Sequence, residues 1–268
     1  MPALIKKNHA QVAGTLMSLF STGIMAGAAL AAASAEPLNT RLGLNWTLTA
    51  GSIVVLLALG GWVRHIKAEA VTSSNVASGT LTTSRTWLLM LFFGIGTAAY
   101  TLVLAWLPPL YIHAGWSARS SGYLLAWLTL TEVLAGFVVS AVIHHFPDRR
   151  KLLLLVLSLL LGGLLCLILA PGTTPVISTL LLGLSIGALF PLSLIVTLDQ
   201  AKTPAEAGAL LSRVQGGGYL IAALMPLIAG IVRDRAASLT SAWVTMSAGV
   251  LLLMLMVLAL KPIKAAAK

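Results

Sequence analysis

Charge is scarce in this sequence. Asp, Glu, Lys and Arg make up 9% of its 268 residues, where a soluble domain carries about 25%. Acids are the scarcest of these, with 7 Asp+Glu against 17 Lys+Arg. So little charge excludes a soluble globular domain and a disordered tail, both of which need water-facing surface. The single cysteine, Cys166, excludes an intrachain disulfide and any cysteine-clustered metal site. The histidines His9, His65, His113, His144 and His145 show no HExxH or related spacing. His144 and His145 would point about 100° apart on a helix, so one metal suits them poorly. Neither a metal nor a cofactor is expected.

What the chain does have is apolar length: 58% hydrophobic residues and a mean hydropathy of +0.97. That is more apolar surface than one soluble core can hide. The expected class is an all-α, polytopic membrane helix bundle in contact with lipid. The net charge of +10 then belongs to cytoplasmic loops and does not signal a nucleic-acid partner.

A spanning helix needs about 20 mostly apolar residues. Eight stretches qualify: 11–35, 42–63, 86–113, 120–143, 152–170, 175–198, 207–232 and 236–260. Turn signals separate them, among them Glu36-Pro37-Leu38-Asn39, Phe146-Pro147-Asp148 and Thr203-Pro204. Pro108-Pro109 is expected to interrupt the outer part of the third span. The first span imitates a signal peptide, with Ala33-Ser34-Ala35 before Glu36, but its uncharged run exceeds the roughly 7–15 residues of a signal core. Gly23 and Gly27 within it offer a small-residue surface for helix packing, as do Gly183 and Gly187 in the sixth span.

With the N-terminus inside, positive charge sorts cleanly. Lys6, Lys7, Arg64, Lys67, Arg85, Arg149, Arg150, Lys151, Lys202, Lys261, Lys264 and Lys268 fall inside, and only Arg41, Arg119, Arg233 and Arg235 fall outside. The positive-inside rule therefore expects both termini to be cytoplasmic in a multi-pass protein of the cell inner membrane.

From Arg85 to Pro262 the chain resembles the cyanate/nitroimidazole-type branch of the major facilitator superfamily. The resemblance rests on Ala105-Trp106-Leu107-Pro108-Pro109-Leu110-Tyr111-Ile112, Ser121-Gly122-Tyr123, Asp148-Arg149-Arg150-Lys151, Gly183 to Leu192, Leu198-Asp199 and Gln215-Gly216-Gly217-Gly218-Tyr219. It implies that residues 86–262 are the family's C-terminal six-helix half and residues 1–63 two helices of the N-terminal half. Residues 64–85 would be a cytoplasmic linker and 263–268 a tail. The eight spans would be helices five to twelve of twelve, with a missing N-terminal half as a possible partner. The function implied is secondary transport of a small, anionic solute such as cyanate by alternating access. The competing reading is a non-transporting membrane subunit paired with a separately encoded N-terminal piece.

Glu132 sits mid-span, about 18 Å from the Ser120 end at 1.5 Å per residue. A charge there costs about 2.5–3.5 kcal/mol on insertion scales, so such residues face a cavity or a partner. It reads as a proton carrier or cavity wall, or else as a neutral carboxyl satisfied between helices. Gln215 and Tyr219 share one face of the seventh span at i, i+4 spacing, and Tyr100 and Trp106 on the third offer stacking or hydrogen bonding to a small planar solute. Arg213 could clamp an anion, but it points about 160° away from Gln215 and could equally snorkel to the interface. Asp148, Arg149 and Arg150 resemble the superfamily's cytoplasmic gating loop, with Asp199 as the carboxylate partner. No catalytic residue is expected: an enzyme would need a convergent nucleophile and base within the membrane.

Reporter fusions after Lys268 and within residues 70–79 should both report cytoplasm; a periplasmic signal from either overturns the orientation.

Overall fold

The computed structural model describes residues 12–65, 83–236 and 239–259. These residues are helical apart from short connections: α1 (Ala13–Leu42), α2 (Leu44–His65), α3 (Thr83–His113), α4 (Ala118–Val142), a 3-10 turn (Ile143–His145), α5 (Arg149–Leu169), α6 (Pro175–Gln200), α7 (Pro204–Ala236) and α8 (Thr240–Ala259). Among the described residues there is no strand. Seven of these helices, α2 to α8, are long and apolar enough to cross a membrane; in α1 the apolar part is Ala13–Gly27.

The helix boundaries follow local chemistry. Ser117 caps α4 by accepting from Ser120 N at 3.1 Å, and Asp148 caps α5 by accepting from Arg150 N at 3.1 Å. Thr203 caps α7 by accepting from Glu206 N at 3.2 Å, while Glu206 reaches back to Lys202 N at 2.8 Å, with Pro204 opening the helix. α3 ends at Gly115, whose φ of 90° suits only glycine readily. There Trp116 N donates to Tyr111 O at 2.9 Å and Gly115 N to Ile112 O at 3.0 Å, the paired bonds of a Schellman stop.

Two expectations about breaks are corrected. The turn expected at Glu36-Pro37-Leu38-Asn39 lies inside α1, which continues to Leu42; the chain breaks at Gly43, where φ is 79°. Pro108 and Pro109 do not interrupt α3, which runs through them to His113. Proline is tolerated inside such helices when neighbours satisfy the carbonyl it leaves unpaired. Pro226 in α7 shows how: it has no N–H for Ala222 O, and Thr101 Oγ1 of α3 lies 3.0 Å from that oxygen, its one O–H shared with Ala98 O on its own helix at 3.0 Å.

The chain divides into two compact units, residues Met1–Met25 with Thr80–Lys268, and residues Ala26–Gly79. In the first unit α6 is the central helix, buried over most of its length. It packs on α4 and α5, while α3 packs on α7 and α5 on α8. The start of α1 lies on α4: Ser18 Oγ donates to Gly136 O at 2.9 Å and Ser140 Oγ to Thr15 O at 3.3 Å. The second unit holds the remainder of α1 and α2, whose described side chains are largely exposed.

Between helices in lipid there is no hydrophobic driving force, so association rests on close van der Waals packing. Glycines supply it. A Cβ on Gly183 or Gly187 of α6 would overlap the α4 backbone at Leu128 and Glu132. A Cβ on Gly217 or Gly218 of α7 would overlap Met90 or Phe93 of α3, and one on Gly136 would overlap Thr22. The small-residue surface expected at Gly23 and Gly27 is different: a Cβ on either would meet nothing within 4 Å.

Gly187→Leu should therefore prise α4 from α6 and lower the melting temperature in detergent, at a cost of about 1–3 kcal/mol or more. Gly216→Ala, placed where a Cβ meets nothing within 4 Å, should leave it unchanged. Equal effects would show that the α4–α6 approach is not tight.

Candidate functional site

Most of the polar side chains singled out in the sequence fall in two regions. The first lies where α4, α5 and α6 reach one end of the bundle. Arg149, the first residue of α5, places Nε 3.2 Å from Asp199 Oδ2 near the end of α6. Its Nη1 also donates to Ile143 O and Phe146 O in the turn after α4. One guanidinium thus ties the last turn of α6 to the loop leaving α4. Arg150 faces its own neighbour instead, with Nε 3.1 Å from Asp148 Oδ1. Hydrogen bonds from the Arg150 side chain, and then from its backbone N–H, hold the Asp148 carboxyl below the usual carboxylate range. With the folded value depressed, that stabilisation is fully present above the ordinary aspartate range and fades as pH falls through the folded value.

His144 and His145 lie in this same turn, with ring centroids 3.8 Å apart and planes tilted by 41°. Sequence reasoning placed them about 100° apart by assuming an α-helix; the segment is a 3-10 turn, and the rings lie side by side. Among the described residues no group of three or more His, Cys, Asp or Glu is placed to hold a metal ion.

The second region is at mid-height, with Glu132 on α4, Tyr100 on α3, and Gln215 and Tyr219 on α7. Glu132 is 2% exposed, and its Oε1 is buried without a hydrogen-bond partner. It sits where α4 meets α6, its own backbone pressed against Gly187. Tyr100 of α3 is half-buried and close enough for its hydroxyl to interact electrostatically with Glu132. On α7, Gln215 is half-buried and Tyr219 is 47% exposed. The Tyr219 ring stands edge-on to Phe93 of α3 at 5.3 Å, and Phe93 meets Phe190 of α6 at 5.7 Å. Phe93 and Phe190 were not singled out in the sequence. Phe93 lies seven residues before Tyr100 and so on the same helix face, a signal that hydropathy alone hides among apolar neighbours.

Trp106 and Arg213 have other surroundings. The Trp106 indole N–H donates to Pro226 O at 3.3 Å, and the Arg233 guanidinium lies 5.3 Å from the centre of its ring. Arg233 also donates to His113 Nε2 at 3.2 Å. The polar handle and one face of this indole are thereby engaged in joining α3 to α7. Arg213 is exposed on α7.

A bundle of lipid-length helices with polar groups at mid-height and a charged clasp at one end defines a polytopic membrane protein. Residues 7–209 match the Major Facilitator Superfamily. The chain is 35% identical over 269 residues to the Cyanate transport protein CynX of Escherichia coli (strain K12), an alignment covering 98% of this chain and 70% of that one. It is 28% identical to the 2-nitroimidazole transporter of the same organism, over 87% of this chain and 61% of the relative. With the Uncharacterized transporter YycB of Bacillus subtilis (strain 168) it shares 26% identity, over 90% of this chain and 61% of the relative. This chain belongs to the Major Facilitator Superfamily. The three relatives are transporters by name and not enzymes, and none supports the reading of a non-transporting subunit.

Arg149→Ala should destabilise the protein more than Asp199→Ala, because it removes one ion pair and two carbonyl contacts together. In a double-mutant cycle read by thermal unfolding, the pair itself should contribute about 0.2–1 kcal/mol, as befits a partly exposed bridge. A larger loss from Asp199→Ala would show that the loop contacts carry nothing.

Proposed function

We propose that the chain forms the larger part of a secondary transporter that carries a small anionic solute such as cyanate by alternating access. It would work in the cell inner membrane, with both termini in the cytoplasm. The observation that carries this reading is the set of polar groups at mid-height. Tyr100, Glu132, Gln215 and Tyr219 place hydroxyl, carboxyl and amide groups on three helices at a depth where each unsatisfied polar group costs several kcal/mol. Transporters of this kind bind substrate near the bilayer midplane. The similarity to a protein named for cyanate transport supports the choice of solute.

Within this reading Tyr100, Glu132, Gln215 and Tyr219 form the solute face, and Tyr219, the most open of them, is the first contact. Arg149, Asp199, Asp148 and Arg150 form the cytoplasmic gate. The Arg149 clasp holds the loop to α6 in this conformation and releases it when the gate opens. Trp106 supports the solute face by fixing α3 to α7, and Arg213 lies outside the solute path.

Counterflow of labelled cyanate tests the reading without any ion gradient. Proteoliposomes would carry the chain alone, or the chain together with a four-helix segment from the N-terminal part of the cyanate relative. Saturable counterflow in the second preparation, reduced at least tenfold by Gln215→Ala with Tyr219→Ala, is expected. Its absence from both preparations overturns cyanate as the solute.

A further inference from the structure

Glu132 is an acid without a visible counterpart. Its Oε1 is buried and unpartnered, and its neighbours leave it little choice. From α6, Gly183 and Gly187 press against the α4 backbone and present no titratable side chain. From α3, Tyr100 is the titratable group within reach. The start of α1 meets α4 one turn away through Ser18 and Thr22, which are not titratable in this range. Asp199 and Arg149 lie at the end of the bundle, 12 residues beyond Gly187 along α6 in the case of Asp199.

A bare carboxylate in such surroundings lacks both hydration and a counter-charge, which is the costly form of the group. A carboxylic acid does not have that cost. It has a further property that a carboxylate lacks: one O–H donor alongside its acceptor capacity. Tyr100 also carries a donor, its hydroxyl, and is uncharged in its ordinary form. An anion that reaches Glu132 and Tyr100 can therefore be held by neutral donors, with no cation required. The same anion set beside an ionised Glu132 would meet a like charge where solvent screening is weakest.

We propose that Glu132 is held as a neutral acid and that its O–H is a hydrogen-bond donor to the anionic solute. This rests on the reading above that the solute is a small anion, and it adds the protonation state and the direction of the hydrogen bond. No bond in the solute forms or breaks. The proton stays on the Glu132 carboxyl while the anion is bound, and ionisation of Glu132 expels the anion.

Two measurements on the purified chain test this. Infrared difference spectroscopy should show a protonated-carboxyl C=O band at neutral pH that is missing from Glu132→Gln. Cyanate, itself an anion throughout, should bind the wild type about tenfold more weakly for each pH unit above the ionisation of Glu132. Glu132→Gln keeps an N–H donor and should bind with affinity independent of pH, whereas Glu132→Ala should bind weakly at every pH. Absence of the infrared band, or a Glu132→Gln variant that keeps the wild-type pH dependence, overturns the proposal. If the band is present but cyanate binds at no pH, the neutral acid stands and the choice of cyanate falls. That outcome separates a failure of the solute from a failure of the chemistry.

Discussion

Close approach of helix backbones is the constraint on which the rest of this structure depends. Lipid tails offer helices no reason to prefer one another, so the bundle is held by how tightly its surfaces mesh. Gly183 and Gly187 let α6 lie directly on α4, and Gly217 and Gly218 let α7 lie directly on α3. These two seams position two of the polar side chains at mid-height. Glu132 owes its position to one of them, since the backbone that carries it is the surface Gly187 touches. Tyr219 owes its position to the other, one residue beyond Gly218 and edge-on to Phe93.

The polar groups complement this packing. Hydroxyls within the bundle mostly return their hydrogen bonds to carbonyls on their own helix, as Thr22 does to Ser18 O at 2.8 Å and Ser185 to Leu182 O at 2.9 Å. Such groups are spent locally and can be buried without a partner from elsewhere. Glu132 differs, since its Oε1 is buried with no such partner, and Tyr111 Oη, Ser121 Oγ and Trp243 Nε1 share that condition. Of these four only Glu132 carries a carboxyl. At the bundle end the economy is reversed: the Arg149 guanidinium serves a carboxylate and two carbonyls at once.

Much of the fold was legible because length and hydropathy are enough to mark lipid-spanning helices. The pairing of α4 with α6 was half legible: Gly183 and Gly187 announced a packing face but not its partner. The same signal at Gly23 and Gly27 found no neighbour, since a small-residue stripe specifies a surface and the rest of the bundle decides whether anything meets it. Prolines misled for a related reason. Pro37, Pro108 and Pro109 were read from what they do to an isolated helix. Whether a helix continues depends on who takes the released carbonyl, and that is settled across helices, as Thr101 shows for Pro226. In the site, the contact of Arg149 with Asp199 followed from loop positions and charge. The choice of Arg149 over Arg150 did not, because it turns on which guanidinium the first turn of α5 aims at α6. Trp106 shows the same limit: residue type marked it as a polar aromatic, and only the packed bundle shows its contacts with Arg233 and Pro226.

The bond from Thr101 to Ala222 has a mechanical meaning. A proline inside a helix is a joint, and a joint usually flexes because its loosened carbonyl can turn toward whatever is nearby. Here that carbonyl is moored to a neighbouring helix at 3.0 Å, and the proline's own carbonyl is moored to the same helix through Trp106. The segment around Pro226 in α7 is thus tied to α3 through two carbonyls, and a bend there would strain both bonds at once.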